Sequence, residues 1–231
     1  MTRLYIAFFQ IVIGFFIADV IVGMFHWFED TYLDYCITFP ILSEISKDNE
    51  LHHYFPRSIT AHSYIDNIKI PFSITILVFA CLFIVNRYAF FKYPYFFASL
   101  AFFGISANVL HRHSHMRECE NPVIINWLQK CGILCSHSHH SAHHEKIMEK
   151  YCVITEYNNY VLDRIYFWRI LENIVYIFTG ITPSRKMAYD DYYEIHNHMH
   201  QNAKLECPDK PTKEDVEELK RKLKNYKKCE N

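Results

Sequence analysis

Apolar residues gather in three long runs in the first half of the chain, and polar residues crowd the stretches between and after them. Leu4 to Phe25 is almost unbroken, interrupted by Gln10 and Asp19; Ile68 to Val85 follows, with Pro71 near its start, and Pro94 to Leu110 is the third. A helix that crosses a bilayer needs about 20 apolar residues, with a range of roughly 17–25. The first run meets that length, and the other two stand at its short end. The first also lacks a small-residue cleavage site and exceeds a typical signal-peptide core, which predicts a retained anchor. Residues 123–135 and 166–182 are apolar enough to lie at a membrane interface. The pattern predicts an all-α integral membrane protein with about three to four transmembrane helices, near residues 4–25, 68–85 and 94–110, in a membrane-embedded domain over 1–207. A composition shift follows Pro208 and Pro211: Thr212 to Asp215 reads as a capping box, with Val216, Leu219 and Leu223 at helical spacing among lysines. Residues 208–231 are therefore expected to form a polar helix or tail that carries no chemistry.

Three apolar crossings have a topological consequence. The end of the first, the start of the second and the end of the third face the same side. That side receives His26, the pair His52-His53, His111-x-x-x-His115 and His140-x-x-His143-His144. On a helix, residues at i, i+3 and i+4 share a face, so the last two groups each aim several imidazoles at one point. Imidazole is the commonest protein ligand for mid-series transition metals. Eight such residues exceed the needs of one tetrahedral ion and suit two metals. Two irons with mostly neutral ligands and open positions would suit oxygen activation at an unactivated C–H bond. The expected architecture is thus a bundle with a histidine-rich di-metal site capped by a cytosolic helical region.

Other metal chemistries fit less well. A zinc protease needs a second histidine where Met148 stands after His144-Glu145, and Glu50-x-x-His53 lacks the partner motif of a carboxylate-bridged di-iron bundle. Cys131-x-x-x-Cys135 with His137 and His139 leaves a small structural zinc site open. His196-x-His198-x-His200 reads as a solvated segment or an adventitious metal site. Asp19, in the first apolar run, either hydrogen-bonds a metal-bound imidazole or makes a polar contact between helices.

Composition adds exclusions. The chain is 51% hydrophobic and 17% aromatic with a formal net charge of -1, so it lacks the positive excess by which proteins bind nucleic acid. Lysine and arginine are shared too evenly among the loops to fix orientation. The eight cysteines are scattered, and Cys36, Cys119, Cys152 and Cys207 have no paired spacing; the expectation is free thiols facing a reducing cytosol. Phosphate-binding and dinucleotide-binding glycine motifs are missing.

Several ordered motifs resemble one family. Ala18-Asp19 through Gly23, His26-Trp27 and Asp30-Thr31 are similar to the opening motif of the Kua family of membrane lipid desaturases. His52-His53, Pro56, Ile59-Thr60 and His62 match its HHxxPxxIT segment, and Asn108-x-x-His111-x-x-Ser114-His115 its NxxHxxSH segment. His140-Ser-Ala-His143-His144, Tyr151-Cys152-Val153-Ile154-Thr155, Asn159 and Asp163 continue the pattern through Phe167-Trp168-Arg169, Leu171-Glu172, Thr179-Gly180 and Pro183. Glu156-Tyr157 and Met148 depart from it. The resemblance covers about residues 18–191 and is nearest, within the family, to the plasmanylethanolamine desaturases.

The resemblance implies two iron ions held by His26, His52, His53, His111, His115, His140, His143 and His144, with His62 as a ninth ligand and Asn108 reaching an iron through water. It leaves His113, His137 and His139 outside the ligand set. It also implies O2-dependent conversion of the alkyl ether chain of plasmanylethanolamine to the vinyl ether of plasmalogen, with cytochrome b5 and its reductase as electron donors. The setting it implies is the endoplasmic reticulum membrane, with the histidine face cytosolic. Acyl-lipid desaturation, lipid hydroxylation on the same ligands and a non-catalytic metal-binding membrane protein are the alternatives.

Overall fold

The computed structural model describes residues 2–184 and 211–226, which form ten helices and, among the described residues, no strand. Two of them, α1 (Thr2–Tyr32) and α4 (Tyr64–Lys92), are long and apolar enough to cross a membrane. Their outer faces expose Leu4, Phe8, Phe9, Ile76, Leu77, Ile84 and Val85, a surface that hydrocarbon accepts and water does not. The third expected run lies in α5 (Pro94–Ser114), but that helix turns polar at Asn108, His111, Arg112 and His113. Among the described residues, two helices have both the length and the composition of a span.

Local chemistry explains the breaks. Ser63 and Asp66 form a capping box at the start of α4, and Asn86 (φ -151°, ψ 72°) interrupts the same helix just after Val85. The Asn86 Oδ1 atom then accepts the Ala89 N–H at 3.2 Å and starts the last turns. Gln10, a polar intruder in the first apolar run, has a partner for its side chain. Its Oε1 accepts from the N–H groups of Tyr95 and Phe96 at 3.2 and 3.3 Å, satisfying donors that the first turn of α5 leaves unpaired.

α1 and α5 pack along each other so closely that a Cβ on Gly14 would lie 2.7 Å from the Phe96 carbonyl oxygen and 2.8 Å from the Ser99 Cβ. The Ser99 hydroxyl donates to the Ile11 carbonyl at 2.8 Å across the same contact. We expect Gly14→Leu to force the helices apart, at a cost of about 1–3 kcal/mol for overpacking. A lowered thermal midpoint of the purified chain in detergent checks this, and an unchanged midpoint contradicts the contact.

Shorter helices surround this pair: α2 (Pro40–Tyr54), α3 (Ser58–Ala61), α6 (Val123–Lys130), α7 (His137–Glu145), α8 (Tyr157–Arg164) and α9 (Phe167–Thr179). The helix expected after Pro211 is α10 (Lys213–Tyr226), opened by Thr212, whose hydroxyl accepts from the Asp215 N–H at 3.1 Å. It packs on the body: Val216 and Leu223 are buried against Tyr35, Leu51, Tyr54 and Phe55. The histidines 196, 198 and 200 lie outside the described residues.

The cysteine expectation needs correction. Cys81, Cys131, Cys135 and Cys152 are free, but Cys36 and Cys119 are disulfide-bonded. Sequence spacing reports pairs on one local element and is blind to those that tertiary folding joins.

Candidate metal centre

Nine side chains converge where four helices meet. α1 supplies His26 and Asp30, one turn apart; the last turn of α2 supplies His52 and His53; α5 ends with His111 in its last turn and His115 as its C-cap; α7 supplies His140, His143 and His144. They form two groups whose ligand atoms each lie within 4.8 Å of one another: His52, His111, His115, His140 and His144 in one, His26, Asp30, His53 and His143 in the other. All nine are buried. The groups adjoin, with the rings of His53 and His144 4.8 Å apart and those of His26 and His111 5.4 Å apart.

The first group has the geometry of a coordination shell. The His111 Nε2 atom lies 3.2 Å from the His52 Nε2, 3.1 Å from the His115 Nε2 and 2.7 Å from the His140 Nε2. The His144 Nε2 lies 3.3 Å from those of both His115 and His140. One ring nitrogen offers a single proton or a single lone pair, so three simultaneous hydrogen bonds at His111 are excluded. Nitrogens about 2.0–2.1 Å from one ion would sit roughly 3 Å apart at right angles, which is the spacing found.

The second group converges on a carboxylate. Asp30 Oδ1 is 2.8 Å from His53 Nε2, and its Oδ2 is 3.4 Å from His26 Nε2 and 3.3 Å from His143 Nε2. The buried His26 Nε2, His143 Nε2 and Asp30 Oδ2 atoms form no hydrogen bond among the described residues, a state that costs free energy unless another group binds there. The other ring nitrogens of two of these histidines are fixed by backbone carbonyls: His26 Nδ1 donates to Tyr151 at 3.0 Å and His143 Nδ1 to Glu149 at 2.6 Å. Donation at Nδ1 leaves the Nε2 lone pair facing the group, the arrangement by which outer hydrogen bonds orient metal-binding imidazoles.

Electrostatics point the same way. The negative ends of the α2, α5 and α7 dipoles favour cations in their last turns. Burial, followed by the neighbouring imidazoles, holds His52, His115, His140 and His144 well below the ordinary histidine range. Near pH 7 they are neutral, with lone pairs free to coordinate a cation.

The remaining candidates fall elsewhere. His62 stands in neither group and lines the adjoining cavity, as does Asn108. Asp30, not His62, joins the second group; its signal in the sequence is the one-turn spacing from His26. Asp19 bonds to no imidazole among the described residues. Its carboxylate accepts from the Ile154 and Thr155 N–H groups at 2.8 and 3.3 Å and from Asn158 Nδ2 at 2.9 Å. It thereby anchors the segment whose Tyr151 carbonyl holds His26. Gly23 admits that segment, since a Cβ there would lie 2.7 Å from Cys152 Sγ. His113 bonds Asn121 at 2.7 Å, His137 the Ser114 carbonyl at 2.9 Å and His139 Asn159 at 3.1 Å. Cys131 is exposed and Cys135 buried, and neither belongs to a metal-binding group among the described residues.

Asp19→Ala strands two buried backbone donors, each worth about 1–3 kcal/mol. We expect a lower thermal midpoint with unchanged metal content in the folded fraction. Metal loss without destabilisation would return Asp19 to the imidazoles.

A cavity of about 590 Å³ opens beside the two groups. His26, His52 and His111 line it, as do Ile74, Val78, Phe79 and Leu82 of α4 and Leu100 and Gly104 of α5. The α4 positions recur at helical spacing, so one stripe of that helix forms an apolar wall.

Residues 15–186 match the lipid desaturase domain. The chain is 34% identical over 185 residues to a probable fatty acid desaturase of Acanthamoeba polyphaga mimivirus, covering 78% of this chain and 87% of that one. It is 31% identical over 187 residues to plasmanylethanolamine desaturase 1 of Mus musculus (75% of this chain, 66% of the relative) and 28% identical over 173 residues to the chloroplastic fatty acid desaturase 4-like 2 of Arabidopsis thaliana (74% and 60%). No solved structure matches the chain. With a match that spans most of its length and takes in every residue of both ligand groups, the chain belongs to the lipid desaturase family.

Proposed function

We propose that the chain is an O2-dependent membrane desaturase that converts the alkyl ether chain of plasmanylethanolamine to the vinyl ether of plasmalogen at a di-iron centre. The observation that carries this reading is the convergence of two candidate ligand groups, three of whose histidines line a cavity also walled by apolar residues of α4 and α5. His52, His111, His115, His140 and His144 would hold one iron, and His26, Asp30, His53 and His143 the other. Bound there, the irons would supply oxygen activation strong enough for an unactivated C–H bond.

The protein's own residues position and protect. Phe79, Val78 and Leu100 keep the chain-binding end dry, and fixing two adjacent carbons beside the ligand groups supplies much of the selectivity. The stoichiometry is a dehydrogenation: two hydrogens leave neighbouring carbons, a donor provides two electrons and two protons reach O2, giving two waters. Cytochrome b5 with its reductase is the donor we propose, in the endoplasmic reticulum membrane with the histidine face cytosolic. An acyl-lipid substrate is the second reading, favoured by the identity with the probable fatty acid desaturase.

Lipid mass spectrometry before and after mild acid, on plasmalogen-deficient cells expressing the chain, separates these readings. Ether lipids lacking two hydrogens and destroyed by acid are expected. Acid-stable unsaturated acyl chains would replace the ether reading with the acyl one. An unchanged lipid pool, with protein and reductant present, would overturn both.

A further inference from the structure

The desaturase match ends at residue 186, yet a helix beyond it completes the cavity. Lys213, Val216 and Glu217 of α10 line the same cavity as His26, His52 and His111. Val216 and Leu223 fasten the helix, at 2% and 3% exposure. Two ion pairs tie it to carboxylates on α2 and α4, Lys213 Nζ to Asp66 Oδ2 at 3.4 Å and Lys220 Nζ to Asp48 Oδ1 at 2.8 Å. Asp48 and Asp66 line the cavity too, and Lys69 pairs with Asp66 at 2.7 Å. Charges of both signs therefore gather at and beside the cavity: carboxylates at 48, 66 and 217, ammonium groups at 69, 213 and 220.

Those pairs are partly exposed, with 64% of the Lys213 side chain and 28% of that of Asp66 accessible, so each is weak and readily exchanged. Exchange has a preferred partner. An anionic headgroup that draws Lys213 away leaves Asp66 with Lys69 alone and adds repulsion at Glu217. A zwitterionic headgroup meets both ends, its phosphate at Lys213 and its ammonium at the carboxylates.

We infer that α10 builds a headgroup subsite, in which Lys213 binds the phosphate and Glu217 with Asp66 binds the ammonium of a zwitterionic phospholipid whose chain lies in the cavity. The inference rests on reading the cavity as a lipid site. Glu217 and Lys213 set specificity by contact with the headgroup and take no part in the oxidation.

Native mass spectrometry of the full chain tests it, offering two lipids with the same alkyl chain and either a phosphoethanolamine or a phosphoglycerol headgroup. The wild-type chain is expected to retain the ethanolamine lipid preferentially. Glu217→Lys should cut that preference about fivefold, the scale of an exposed charge pair, and Lys213→Ala should weaken both lipids alike, with metal content unchanged in each. No preference in the wild type, or a ratio untouched by Glu217→Lys, overturns the inference. Turnover of the same lipids is followed separately. Preferential retention without turnover would sink the desaturation reading and leave the subsite standing; turnover blind to headgroup would do the reverse.

Discussion

Replacing His144 with alanine abolishes lipid turnover while the chain still accumulates in the membrane fraction. The side chain is buried, and its Nε2 sits 3.3 Å from those of His115 and His140, so the first group loses one of five donors. Removing even an outer-sphere partner costs about 10–100-fold in metal affinity or activity, and loss of a ligand should cost at least the upper end of that range. Folding should survive, because alanine is the better helix former in α7 and the truncated nitrogen, His144 Nδ1, had no hydrogen bond among the described residues. His53→Ala should behave alike through the second group. Lipid analysis beside an immunoblot of membranes checks both; retained turnover in both variants would move the chemistry elsewhere.

Asp30→Asn should halve the metal content. Asp30 is the single carboxylate in either group, and three histidines surround its two oxygens. Asparagine keeps the shape but removes the charge, leaving three neutral imidazoles to offset a divalent ion. We expect affinity at the second group to fall at least about 100-fold, since a ligand's charge and donor atom go together, while the five imidazoles of the first group still bind. Metal analysis of the purified variant should give one ion per chain with turnover lost. Two ions per chain with normal turnover would remove Asp30 from the site.

The residues made some of this legible and hid the rest for physical reasons. Apolar run length located α1 and α4, and the helical spacing of HxxxH and HxxHH announced that His111 with His115, and His140 with His143 and His144, share faces. That the α1, α2, α5 and α7 groups meet was inferable only from counting crossings, and the geometry agrees with it although α5 lacks a span's composition. Asp30 escaped because carboxylates are common near helix ends, so its one-turn spacing from His26 does not stand out. Asp19 looked alike whether it faced an imidazole or a backbone segment 135 residues away. The same blindness to distance hid the disulfides at Cys36 and Cys119. α10 was visible as a helix from its capping box, but its place on the cavity depends on Val216 and Leu223 finding Tyr54 and Leu51, which no local pattern encodes.

The most direct test of the central claim is a metal count on the purified wild-type chain, joined to turnover of the same sample. The account predicts two irons per chain, and O2-dependent loss of two hydrogens from an alkyl lipid once a reductant is supplied. A chain that forms the unsaturated lipid while carrying one iron or none would contradict it.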